Sequence, residues 1–380
     1  MARAFLLLAA LLISFSSPPS AASANHDIPA VFAFGDSTLD PGNNNGMATL
    51  ARANHAPYGC DFPGGAATGR FSNGKLITDY IVESLGIKAL LPAHRDAAGL
   101  GVAELSTGVS FASGGSGIDD LTAHTAMVST FASQISDFHG LLGRIGAPKA
   151  SEIASRSLYV FSTGTNDVAT TYFILRARVK AFPTFELYTA FLMDKLQDYI
   201  KTLYSMGARK FIVAGLPPLG CLPVNKGLNM GSKGCVADLN VAAERYNVSL
   251  RQTLAKLQAA SPGATVAYVD VYTPLMDMVT QPQKYGRTKP IAPARTNGEA
   301  SIDVLISLPC RVSACAAGFT ETGQGCCGNG LPSMGILCTS LLPQCRSPSQ
   351  YMFFDSVHPT QAVYKALADQ IVKSHIPKFK

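Results

Sequence analysis

The chain has 380 residues, 47% of them hydrophobic and 15% charged, which excludes wholesale disorder and leaves room for one large α/β domain or two smaller ones. Its formal net charge of +6 is spread out, with no dense Lys/Arg run and no aromatic-basic stripe, so nucleic acid is not an expected partner. Taken in chain order, Arg3, the apolar stretch Phe5 to Phe15 and the small residues Ala22-Ser23-Ala24 read as an export signal over residues 1–24. That stretch is too short to span a bilayer and nothing later is longer, so no integral membrane span is expected and the chain from 25 to 380 reads as secreted.

Five short apolar runs follow: Ala30 to Phe34, Val109 to Ala112, Leu158 to Ser162, Lys210 to Ala214 and Thr265 to Tyr272. Between them lie helical patterns. Leu76-Ile77, Tyr80-Ile81 and Ser84-Leu85 mark one amphipathic helix, and Phe185 to Met206 and Val236 to Ala260 mark longer ones that stop at Gly or Pro. Strand and helix in alternation predict a parallel sheet covered on both faces. There is no repeat and no low-complexity linker, so 25–380 reads as a single domain.

Nine cysteines in an exported chain point to disulfides, and the odd number leaves one thiol over unless two chains join. Cys221 with Cys235 makes a local bridge across a Gly-rich loop. Cys326 or Cys327 with Cys338 or Cys345 would staple the segment before His358, and the pairing there stays open. No paired C-x2-C motif exists, so a zinc site is not expected. Asn247-Val248-Ser249 is a glycosylation sequon consistent with export.

Two fragments at opposite ends carry the chemistry. Ser37, in Gly35-Asp36-Ser37, follows the first apolar run and so stands at the tip of a buried strand, a usual place for active sites in α/β sheets. Alone it would be an ordinary turn or N-cap serine. His358, three residues after Asp355, supplies a base with its orienting carboxylate, the pair a serine needs to become a nucleophile. Ser113-Gly114-Gly115-Ser116-Gly117 after one strand and Gly164-Thr165-Asn166-Asp167 after the next could supply oxyanion donors. No Gly-Lys-Ser/Thr follows the glycines, so they are no phosphate loop, and the Gly-x-Ser-x-Gly elbow of α/β-hydrolases is absent from the chain.

Together with Arg70-Phe71-Ser72-Asn73-Gly74-Lys75, Gly215-Leu216-Pro217-Pro218-Leu219-Gly220-Cys221 and Tyr246-Asn247, these blocks make the chain resemble the plant-type GDSL esterase/lipases of the SGNH hydrolase superfamily over nearly its whole mature length. The resemblance implies a flavodoxin-like three-layer αβα sandwich with a central parallel sheet of about five strands. It implies a cell-wall or apoplast location, no cofactor and no metal, and a small-molecule or lipid ester as substrate. It assigns Ser37 as nucleophile, His358 as base, Asp355 as orienting acid, and Ser37, Gly114 and Asn166 as the oxyanion hole. Asp40 and Asn43-Asn44-Asn45 would cap the next helix or line the cleft; Phe354 stands where many relatives carry Trp. The implied activity is hydrolysis of carboxylic esters through an acyl-enzyme. The alternatives are an acyltransferase using the same triad, or a non-catalytic ligand-binding or defence protein.

One departure stands out. Relatives run almost directly from a Lys-Tyr-Gly turn to a Cys-Cys-Gly motif, whereas here residues 287–318, with Cys310 and Cys315, intervene. This insert reads as a surface excursion, arising from a gene-model artefact such as a retained intron or from a variable loop. Acyl chain length, alcohol and oligomeric state are left open by the sequence.

Overall fold

The computed structural model describes residues 27–228, 234–285, 318–330 and 332–379. The leader read at 1–24 and the insert read at 287–318, apart from Gly318, lie outside these residues. Four of the five apolar runs form one parallel sheet, in the order β1 (Val31–Gly35), β2 (Leu158–Ser162), β3 (Lys210–Ala214) and β4 (Thr265–Val269). Val31 lies opposite Leu158, Leu158 opposite Lys210, and Lys210 opposite Thr265. Helices at Ile77–Ser84, Phe185–Ser205 and Ala237–Ala260 occur where the periodicity placed them.

Two runs behave differently from expectation. The run expected to reach Tyr272 ends at Val269, and a helix, Tyr272–Thr280, begins instead. Asp270 explains the switch, because its carboxylate accepts from Thr273 N (3.1 Å) and Thr273 Oγ1 (2.6 Å), satisfying donors of the first helical turn. Residues 109–112 lie along the free edge of β1 and make a single bridge there, Ala33 with Ser110. Ala33 N donates to Val109 O (3.3 Å) and Phe111 N to Ala33 O (2.8 Å). On its outer side Ser110 bridges Ala93, with Ser110 N donating to Pro92 O (2.9 Å) and His94 N to Ser110 O (2.8 Å), and Asn43 Nδ2 donates to Ser110 O (2.8 Å) and Ala112 O (2.7 Å), so backbone and a side chain together close the edge.

The spatial order is therefore 109–112, β1, β2, β3, β4, and the winding direction reverses at β1. A crevice outside the carboxyl ends of the strands is expected at such a reversal. On one face an aromatic layer of Phe32, Phe34, Tyr159 and Phe161 packs on Phe131 and Phe138 of the helix Phe131–Ile145. On the other, Val160 and Ile212 meet Ile77, Ile81, Leu367 and Ile371 around a small apolar cavity. The last two belong to the helix Gln361–Ser374. Both faces being covered accounts for strands that read as continuous apolar runs without alternation.

A second, two-stranded parallel sheet, β5 (Glu321–Gly325) with β6 (Tyr351–Phe353), precedes the histidine. Beside it Tyr58, Phe71, Phe354 and three cysteines form a separate buried cluster. Among the described residues the disulfides are Cys221–Cys235, Cys326–Cys345 and Cys327–Cys338, which decides the pairing the sequence left open there.

Candidate active site

Three neighbouring segments end at one crevice: β1 leads into Ser37, the 109–112 run into Ser113 to Gly117, and β2 into Thr165-Asn166. The turn that carries Ser37 depends on Gly35. Its φ of 144° and the contact a Cβ would make with the Ser162 carbonyl carbon at 2.8 Å leave room for glycine alone. Gln134, fully buried on the helix behind, clamps this residue. Its Oε1 accepts from Gly35 N (2.8 Å) while its Nε2 donates to Gly35 O (2.9 Å) and Ser116 Oγ (3.2 Å). One amide thus ties the serine turn to the glycine loop.

The loop after β6 brings the other two residues. Phe354 N donates to His358 O (2.8 Å) to close the loop on itself, while Cys327 N donates to Phe354 O (2.7 Å), Val224 N to Ser356 O (2.8 Å) and Ser356 N to Ser333 O (2.8 Å), so it is held from three sides. The Arg70 to Lys75 block holds the fourth: Ser72 Oγ donates to Pro359 O (3.1 Å), and Asn73 Oδ1 accepts from Gln361 N (2.8 Å). Arg70 itself is locked in a buried, two-pronged pair with Asp79 (2.8 Å each).

With this framing, His358 Nε2 stands 2.7 Å from Ser37 Oγ, and His358 Nδ1 stands 2.7 Å from Asp355 Oδ2. Asp355 is fully buried; its Oδ1 accepts from Val357 N (2.8 Å) and His358 N (2.7 Å). Ser37 and His358 are 8% and 5% exposed, so the serine hydroxyl is open to a ligand yet shielded from bulk water.

The oxyanion candidates divide. Gly114 N donates to Asp40 Oδ2 (2.8 Å) and is engaged. The next residue, Gly115, lines the cleft with Ser37, Asn166 and His358, and neither its N–H nor that of Ser37 is hydrogen-bonded among the described residues. Asn166 Nδ2 donates one hydrogen to Ser116 O (2.9 Å), leaving its second without a protein partner among the described residues. Asp40 does not cap a helix. Its Oδ1 accepts from Gly42 N (2.8 Å) and Asn43 N (2.6 Å) to close a turn. Burial pushes Asp40 up to about 6, opposed by those three N–H groups, and burial pushes Asp167 beneath the same loop to about 6 as well. Asp36 is also raised by burial, opposed by bonds from Thr38.

Asn247 needs correction as a glycosylation site. It is 3% exposed, its Oδ1 accepts from Leu216 N (2.7 Å), and Nδ2, the atom a glycan would require, donates to Leu216 O (3.0 Å). It fastens the segment after β3. Tyr58 and Gln134 carried no signal in the sequence, since their partners lie 297 and 99 residues away.

The residues open onto a cleft of about 400 Å³. Leu50, Met127, Ile174, Met334 and Leu337 line it and remain exposed at its mouth. Among the described residues no group of three or more His, Cys, Asp or Glu side chains converges as metal ligands would, and no helix is long and apolar enough to cross a membrane.

A family model described as GDSL-like lipase/acylhydrolase matches residues 31–371. The chain belongs to that family. Three Arabidopsis thaliana proteins named GDSL esterase/lipase are similar to it along nearly their whole length. One is 36% identical over 90% of this chain and 88% of its own. A second is 34% identical over 96% and 94%, and a third 37% identical over 94% and 92%. The GDSL fold and ester hydrolysis as a reaction class follow for this chain, and its substrate is an ester.

Proposed function

We propose that this GDSL enzyme is a secreted single-domain hydrolase that cleaves acyl esters with an apolar acyl chain through a covalent acyl-serine. The observation that carries this reading is the unbroken chain from Ser37 Oγ through the His358 ring to Asp355 Oδ2, its two hydrogen bonds 2.7 Å each, at the floor of an apolar cleft. Ser37 Oγ attacks the ester carbonyl as its proton passes to His358 Nε2. Asp355 keeps the Nδ1 hydrogen in place and stabilises the imidazolium. Negative charge on the former carbonyl oxygen is taken up by Ser37 N–H, Gly115 N–H and Asn166 Nδ2, with Gly115 in place of Gly114, whose N–H serves Asp40. The imidazolium then protonates the leaving alcohol, and a water activated by His358 releases the acid and regenerates Ser37.

The three disulfides support an oxidising, extracellular location. The exposed apolar residues at the mouth support an acyl chain there in preference to a charged group. The test is hydrolysis of p-nitrophenyl esters of short and long acyl chains by wild type and Ser37→Ala. Turnover falls by at least about 10³-fold in the variant at unchanged folding. Undiminished turnover in Ser37→Ala refutes the acyl-serine, and an ester product in place of free acid moves the assignment to acyl transfer.

A further inference from the structure

We propose that Tyr58 is a positioning residue of the triad, acting on Asp355 through its hydroxyl; the inference rests on the serine-hydrolase reading above. Tyr58 OH donates to Asp355 Oδ2 at 2.5 Å, and this is the same oxygen that faces His358 Nδ1. A carboxylate offers about four lone-pair directions, and here all are taken: Val357 N and His358 N on Oδ1, His358 Nδ1 and Tyr58 OH on Oδ2. With Tyr58 in place the carboxylate can neither rotate nor turn its charge away from the imidazole.

The tyrosine is itself held in one orientation. It is 1% exposed, and its ring packs on Phe354 (5.4 Å between centroids) and Phe71 (6.0 Å). Phe71 in turn lies 4.8 Å from the His358 ring. The same cluster contains Cys326, Cys327 and Cys338, each in a disulfide. A tyrosine needed only to fill space would serve equally as phenylalanine; a hydroxyl aimed at the one buried carboxylate beside the base serves the base. Donation to Oδ2 draws electron density from the oxygen facing Nδ1, so it moderates how strongly Asp355 stabilises the imidazolium. Removing the hydroxyl leaves that oxygen more basic and less firmly placed.

The experiment compares wild type, Tyr58→Phe and Ser37→Ala on a p-nitrophenyl ester across pH. Tyr58→Phe loses about tenfold in kcat, the order expected for one hydrogen bond to a charged group. KM stays unchanged because Tyr58 lies outside the cleft, and the acid limb of kcat/KM moves to higher pH. A purely structural tyrosine would lower thermal stability and leave the acid limb in place. Should Tyr58→Phe fail to fold, 3-fluorotyrosine placed at position 58 keeps the shape and strengthens the donor, and the acid limb moves to lower pH. An acid limb that stays at its wild-type position in the variant that folds overturns the proposal. Loss of Ser37 dependence in wild type would instead sink the underlying hydrolase reading, so the two failures are distinct.

Discussion

Gln134→Leu isolates the amide clamp behind the nucleophile. The substitution leaves an apolar side chain one bond shorter at the same buried position and removes three hydrogen bonds, to Gly35 N, Gly35 O and Ser116 Oγ. Their losses are unequal. Gly35 O still accepts from Ser113 N (3.0 Å), and Ser116 Oγ still donates to Ser129 O (2.9 Å). Gly35 N alone is orphaned in the interior. One buried unsatisfied donor costs roughly 1–3 kcal/mol, so a destabilisation of about 2 kcal/mol is expected, seen as a Tm lower by about 3 °C. A catalytic effect accompanies the stability effect, because Gly35 fixes the turn that aims Ser37. A displacement of a few tenths of an ångström there lowers kcat by about tenfold with KM unchanged. Differential scanning calorimetry and steady-state p-nitrophenyl ester kinetics on the same preparation measure both. A variant with wild-type kcat and a Tm within 1 °C or so would refute the idea that this amide positions the nucleophile.

Other outcomes follow from the same contacts. Asp355→Asn turns an amide N–H2 or a single acceptor toward four donors, so kcat drops by about 10³- to 10⁴-fold through loss of the correct imidazole tautomer; retention of a tenth of the activity would contradict it. Asp167 is raised from 3.8 to about 6 by burial, so the folded state binds its proton more tightly than the unfolded state. Its contribution to stability is therefore lost as pH rises through about 4 to 6, and the stability gap between wild type and Asp167→Asn narrows over that same window in denaturant titrations. Endoglycosidase treatment of protein from a glycosylating host produces no mass change attributable to Asn247, and Asn247→Ala costs about 2–3 kcal/mol by unpairing both amides of Leu216. Deleting residues 287–317 leaves turnover intact, since Phe319 N donates to Pro282 O (3.2 Å) and the flanks already meet; an inactive, well-folded deletion would show that the segment serves the site.

What the sequence made legible was local. The strands read as apolar runs because both faces of a parallel sheet are buried, and Ser37 and the Asp355–His358 pair sit in short motifs whose geometry is set within a few residues. Tyr58 and Gln134 escaped notice because a buried polar residue is defined by its partner, and theirs arrive from distant parts of the chain. Gly114 and Gly115 are chemically identical in the sequence. They differ only in that Asp40, folded back by its own turn, takes the N–H of the first. The end of β4 at Val269 was hidden for a related reason, since the apolar run continues past Asp270 and only the capping bonds of that carboxylate mark the change.

The proposed nucleophile Ser37 and its proposed base His358 are 321 residues apart, joined across a crevice that needs the ends of three neighbouring segments and a disulfide-stapled loop. No fragment shorter than that span contains both. Turnover is thus a report on complete folding: a chain still emerging, clipped between the two motifs with its halves parted, or wrongly bridged at Cys326 and Cys327 has no competent serine.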